Sequence, residues 1–200
     1  MASLHARTLT EAYLFVDLTA VATERGDALE PVRDYAAHTK LTEVAGAWKL
    51  RFDGRDIGLR LAFDVFVPFE SEFQARRERL RFGEGPSELI DAGQWRVAGA
   101  GYAQRAMRDD LRHREDPGDA ALSESVVVGW ECARDAAAEV AKFLPEGAAE
   151  VPATAFWSEM GETALRDEPE LFTREAVESD IAFFQQRRDH LIARHADRHP

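Results

Sequence analysis

Alternation of apolar and polar positions dominates the first third of the chain. Residues 11–18 (EAYLFVDL) place Ala12, Leu14, Val16 and Leu18 on one face and Tyr13 and Phe15 on the other, which predicts a strand covered on both sides. A polar segment, 23–31, follows, and residues 34–44 form a weaker strand candidate. The clearest hairpin comes next. Trp48, Leu50 and Phe52 alternate with Lys49 and Arg51, and Asp53-Gly54 supplies turn chemistry. The return strand, 58–67, puts Leu59, Leu61, Phe63 and Val65 on one face and Arg60, Ala62, Asp64 and Phe66 on the other. The expected result is an antiparallel sheet of three to four strands.

Beyond Pro68 the period changes. Residues 71–81 (SEFQARRERLR) form a charged stretch that fits a short helix or an extended loop, and Gly83-Glu84-Gly85-Pro86 breaks the chain. Ser87 is a candidate N-cap for a short turn over 88–92, since its hydroxyl can accept an amide two or three residues on. Residues 95–111 read as helix, weakened early by Gly99 and Gly101, and 112–118 read as a polar connection. Over 119–144, Val126, Val127, Trp130, Ala133, Ala137, Val140, Ala141 and Leu144 form an apolar helical stripe that Pro145-Glu146-Gly147 stops. Thr154 can cap a further helix through Phe156, Trp157, Met160 and Leu165, and the last helix spans 173–195. A sheet followed by about four helices packed on it predicts an α+β fold, read as one domain over 1–200 with 1–70 mainly β and 87–200 mainly α.

Composition adds limits rather than an activity. A chain of 200 residues with 45% hydrophobic and 31% charged residues is long enough to bury its own core. Cys132 is the single cysteine, so no internal disulfide and no multi-cysteine metal site is expected. No apolar run approaches the ~20 residues of a membrane span, and residues 1–7 lack the apolar core of a signal peptide. These points predict a soluble, cytoplasmic protein. Basic residues are nearly all arginine, which with the abundant alanine suggests a GC-rich bacterial genome.

The net charge of −12 is unevenly spread. Residues 1–70 carry 8 Lys/Arg against 11 Asp/Glu, residues 71–116 carry 9 of each, and residues 117–200 carry 8 against 17. Three quarters of the excess negative charge therefore lies in the last two fifths of the chain. Such a surface repels nucleic acid and anionic membrane and attracts basic partners.

Each chemical motif has a structural explanation. His195 and His199 share a helical face at metal-ligand spacing, but at a chain end and without a third ligand. Cys132 lies beside the apolar stripe next to Glu131, the setting of a packed thiol rather than a nucleophile. Gly83-Glu84-Gly85 and Gly99-Ala100-Gly101 match no phosphate-binding loop. Asp53 with Asp56, and Glu139 with Lys142, fit turn chemistry and helical pairing. Arg76, Arg77, Arg79 and Arg81 alternate with Glu72, Glu78 and Glu84, as on a salt-bridged helix face. No catalytic residue, cofactor or metal is expected.

The segment 143–161 (FLPEGAAEVPATAFWSEMG) is the most distinctive. It brings Phe156 and Trp157 near Glu146, Glu150, Glu159 and Glu162, an aromatic anchor ringed by carboxylates of the kind that receives a basic protein. The structural alternative is a long loop whose aromatics plug a gap. These features point to a protein-binding module, an immunity or antitoxin-type protein that neutralises a basic toxin. The alternatives are an enzyme built around Asp91, Trp95 and residues 113–116, or a structural subunit of a larger assembly.

Two tracts, 82–95 (FGEGPSELIDAGQW) and 142–159 (KFLPEGAAEVPATAFWSE), resemble a bacterial family of unknown function and cover about a sixth of the chain. Its members often carry Cys-x-x-Cys-like pairs in a zinc-ribbon-like N-terminal sheet. The resemblance implies that loops 20–26 and 53–58 here have lost the metal, with packing by Trp48, Phe52 and Phe63 in its place.

Overall fold

A computed structural model describes residues 3–23, 34–115 and 119–196. The chain divides into two compact units, Met1–Ile90 and Asp91–Pro200. The fold is α+β, as the pattern predicts.

The first unit contains a four-stranded sheet in the order β1-β4-β3-β2, built from β1 (Leu4–His5), β2 (Thr39–Val44), β3 (Ala47–Asp53) and β4 (Ala62–Pro68). The predicted hairpin is present. Leu50 pairs with Val65 and Phe52 with Phe63 across β3 and β4. Leu50, Phe52, Val65 and Val67 are fully buried on one face. The other face carries Lys49, Arg51 and Asp64 in an ion-paired group, with Arg51 Nη1 3.1 Å from Asp64. Asp53 and Gly54 do make the turn, although a short 3₁₀ segment, Arg55–Ile57, lengthens it. The two-residue β1 runs parallel to β4, the one departure from an antiparallel sheet.

Residues 11–18 are a correction. They lie in a helix, α1 (Leu9–Thr23), not in a strand. Two facts decide the matter. Thr8 and Glu11 start the helix, with Glu11 N donating to Thr8 Oγ1 at 3.1 Å and the Glu11 carboxylate accepting from Arg7 N at 2.6 Å. The helix is also apolar on nearly every side, so alternate positions from Ala12 to Ala20 are buried and imitate a period of two. Phe15 meets Phe63 edge-on at 5.4 Å, which seats α1 on the sheet. A second helix, α2 (Phe69–Glu78), resolves the ambiguity over 71–81. Arg76 pairs with Glu72 on it at 2.7 Å, as the salt-bridged reading expects. Residues 34–44 divide into a 3₁₀ turn, Tyr35–His38, and β2.

The second unit is helical: α3 (Ala92–Glu115), α4 (Ala120–Ala141), α5 (Glu159–Asp167) and α6 (Arg174–Ala196). The central helix α4 packs on both α3 and α6. The core between them holds Ala103, Ala106, Val126, Trp130, Ala133, Ala137, Phe184 and Leu191. Small side chains on α3 and α4 allow a close approach, and Trp130 fills the centre. Cys132 is buried on α4. Gly99 and Gly101, expected to weaken α3, are accommodated within it, with Gly99 facing Ala136. His199 and the side chain of His195 lie outside the described residues.

Candidate functional site

The start of α3 explains how the 143–162 segment is held. Asp91 is its N-cap, in a reciprocal box with Gln94: Gln94 N donates to Asp91 Oδ1 at 2.8 Å, and Asp91 N donates to Gln94 Oε1 at 3.1 Å. Ser87 caps the short turn that follows it, as its hydroxyl accepts from Leu89 N at 3.0 Å and Ile90 N at 2.9 Å, two and three residues on, although 88–90 is a bend rather than a helical turn. The second oxygen of Asp91 does more than cap. Asp91 Oδ2 accepts from Trp157 N at 3.1 Å and Ser158 N at 2.7 Å, so one fully buried carboxylate fastens a segment 66 residues away.

Those two amides are committed to Asp91, so residues 156–158 stay extended and the helix cannot begin at Thr154. Residues Ala153–Ala155 form a 3₁₀ turn, and α5 starts after Ser158, whose Oγ accepts from Gly161 N at 2.9 Å. Gly161 is required here. A Cβ on it would stand 2.2 Å from Asp91 Oδ1, and a Cβ on Gly93 would stand 2.4 Å from Gly161 Cα. The first turns of α3 and α5 touch through bare backbone.

Extended backbone sends neighbouring side chains to opposite sides. Phe156 points inward, is 6% exposed, and meets Phe172 edge-on at 4.8 Å. Trp157 points outward, is 46% exposed, and leans on Phe143 at 6.0 Å. The two aromatics that sequence reasoning placed together on a surface are therefore separated, with Phe156 in the core and Trp157 at the surface. Glu159 and Glu162 are exposed in the first turn of α5, where the positive end of the helix dipole favours carboxylates.

Glu146 and Glu150 are exposed in the preceding loop. That loop is clamped from α6: Arg174 Nε donates to Ala148 O and Nη2 to Pro145 O, both at 2.8 Å, and Arg174 N donates to Ala149 O at 2.7 Å. Val151 N adds a bond to Phe172 O at 3.0 Å. Residues 143–170 contain seven Asp/Glu and one Arg, half of the chain's net charge of −12.

The residues suggested for an enzyme do not converge. Asp91 has both carboxylate oxygens engaged by backbone amides. Trp95 and His113 lie on one helix about 27 Å apart, from its rise of ~1.5 Å per residue. Asp116 lies outside the described residues. Trp95 lines a cleft of about 90 Å³ with Arg96, Gly99, Ala100, Ala137 and Phe184, room for roughly three waters. Arg96 pairs with Asp180 there. Burial draws the Arg96 guanidinium below its ordinary value, and nearby Glu168 opposes that shift. Among the described residues no group of His, Cys, Asp and Glu could hold a metal, and no helix is long and apolar enough to cross a membrane.

Sequence reasoning missed Asp91 and Gln94 as the organising pair. The signal was available, because Asp91-Ala92-Gly93-Gln94 is a capping-box pattern. The reach of Asp91 to residue 157 had no local signal. Comparison with protein-family models, with curated proteins and with solved structures finds no match to this chain.

Proposed function

We propose that this chain is a protein-binding module of the immunity or antitoxin type, which receives a basic protein on the surface formed by residues 143–170. The observation that carries the reading is Trp157: nearly half exposed, on backbone pinned by a fully buried carboxylate. Phe73 and Phe183 are more exposed still, so what sets Trp157 apart is its held backbone and its acidic neighbours rather than exposure alone. An aromatic side chain displayed on rigid backbone loses little conformational entropy on association. Covering the exposed part of the ring removes roughly 100 Å² from water, worth about 2.5 kcal/mol, the scale of an interface hot spot.

Glu146, Glu150, Glu159 and Glu162 supply the field. Their role is to attract a basic surface and speed the encounter, an effect that falls as salt screens it. A toxin whose active groove is basic is the partner this charge pattern suits, in a cytoplasmic setting. The enzyme alternative draws no support from the cleft beside Trp95, which is far smaller than the ~300–1,000 Å³ of typical substrate pockets.

The test is affinity capture of partners with wild-type chain, Trp157→Ala and a Glu159→Arg/Glu162→Arg double variant, at low and at high salt. The expected result is one basic protein retained by wild type at low salt, lost with Trp157→Ala and weakened by charge reversal, while thermal stability stays within about 1 kcal/mol for these surface changes. Retention of the same proteins by all three forms would refute this surface as the binding site.

A further inference from the structure

Toward the other end of α3 lies a charge cluster of opposite sign. Asp110 is buried, with a side chain 4% exposed, and three arginines approach its carboxylate. Arg114, one turn along α3, bonds it at 2.6 Å. Arg187 and Arg194 reach it from α6, at 3.7 and 4.0 Å. They are seven residues apart, so two turns of α6 present both guanidiniums to the same side. Neither of these two stands at hydrogen-bond distance from Asp110, which leaves their N–H donors directed near a carboxylate that does not use them. Asp110 Oδ1 itself lies buried with no hydrogen-bond partner among the described residues. Arg187 also lies over Trp130, 5.4 Å from the ring centroid, a cation–π contact that helps hold the guanidinium in place.

The count of charges is the decisive point. Among the described residues three arginines stand within 4.0 Å of this one carboxylate, a local surplus of two positive charges in a unit with 13 Lys/Arg and 22 Asp/Glu. Asp109, Glu131 and Asp189 have partners of their own. Asp109 accepts from Ser125 Oγ at 3.0 Å and lies 3.8 Å from Arg112. Glu131 holds Arg188 at 2.7 Å, and Asp189 takes Gln185 and Arg188. Arg114, Arg187 and Arg194 nevertheless remain part-exposed, with side chains 54%, 37% and 32% accessible, so a small solute can reach them.

We propose that Arg114, Arg187 and Arg194 bind a dianionic oxyanion of the phosphate type. Planar guanidiniums match the oxygens of a phosphoryl group, and a dianion cancels the surplus of two charges. Asp110 acts beneath the ligand as the group that gathers the arginines, and its own charge limits the affinity.

The test is calorimetric titration and thermal denaturation with orthophosphate and with glycerol phosphate, near pH ~8 where both are dianions, at constant ionic strength against chloride. Wild type is expected to show saturable binding and a rise in Tm absent in chloride. Arg194→Gln and Arg187→Lys are expected to weaken binding at least tenfold, whereas Arg77→Gln, on α2, leaves it unchanged. Asp110→Asn, which removes a like charge, is expected to tighten it by about tenfold. Tighter binding of the monoester than of orthophosphate assigns the site to an organic phosphate, and the reverse order assigns it to the free ion. No saturable response to either ligand, or a response unchanged in Arg194→Gln, overturns the proposal. The Arg194 variant is decisive even if Asp110→Asn does not fold.

Discussion

Substitution of Gly161 by alanine tests the junction on which the Trp157 surface depends. The added Cβ would stand 2.2 and 2.3 Å from the two oxygens of Asp91, closer than real side chains come. The carboxylate must then give up its bonds to Trp157 N and Ser158 N. A hydrogen bond to a charged group contributes about 1.5–3 kcal/mol, so the two together amount to roughly 4 kcal/mol. Alanine returns about 1 kcal/mol as a better helix former than glycine. Gly161→Ala is therefore expected to cost about 3 kcal/mol. Asp91→Ala, which strands three amides, is expected by the same measure to cost about 6 kcal/mol. Without that carboxylate the new methyl no longer meets those oxygens, so Gly161→Ala in the Asp91→Ala background should cost nothing or stabilise slightly. The coupling is then about 3 kcal/mol, near the top of the usual range for contacting residues. Urea denaturation of the four proteins, followed by far-UV circular dichroism and by tryptophan fluorescence, measures it directly. Additivity within about 0.5 kcal/mol would falsify the reasoning, because the clash and the bonds would then be independent.

Two further predictions concern the loop ahead of that junction and the hairpin. Arg174→Ala removes two guanidinium bonds to carbonyls of the 145–150 loop and is expected to cost about 2 kcal/mol. Hydrogen exchange should accelerate at 145–151 and stay unchanged in α4. In the hairpin, the Arg55 guanidinium holds the Asp53 carboxyl down at about 2. Since the folded value lies below the unfolded one, the pair stabilises fully above the ordinary carboxylate range and loses its effect as pH falls from about 4 through about 2. An NMR titration should place Asp53 near 2 in wild type and return it toward 3.8 in Arg55→Gln.

The hairpin was legible because its information is local: alternating residues flank an Asp-Gly turn, and both strands bury the expected face. The long helices were legible for the same reason, since a stripe from Val126 to Val140 needs only its own period. Residues 11–18 misled because a helix buried on nearly all sides has no polar face to reveal its period, and only the Thr8/Glu11 start marked it as helical. The surface segment was half legible. Glu146, Glu150, Glu159 and Glu162 are exposed as expected of an acidic surface. Adjacent aromatics at 156 and 157 carry no sign of which faces inward. That choice follows from extended backbone, which follows from Asp91, and a contact across 66 residues leaves no pattern in a window of fifteen.

The bare-backbone contact between α3 and α5 bears on how this protein can diverge. Asp91, Gly93 and Gly161 form a lock in which no member has a ready substitute, and Ser158 can give way only to another capping residue, while Trp157 and the outward carboxylates can vary without disturbing it. Sequences that keep this lock would retain an Asp-x-Gly-Gln tract and a distant Ser-x-x-Gly tract, while the residues displayed between and beyond them are free to change. That spaced pair of tracts, rather than overall identity, is the signature by which remote kin of this chain should be sought.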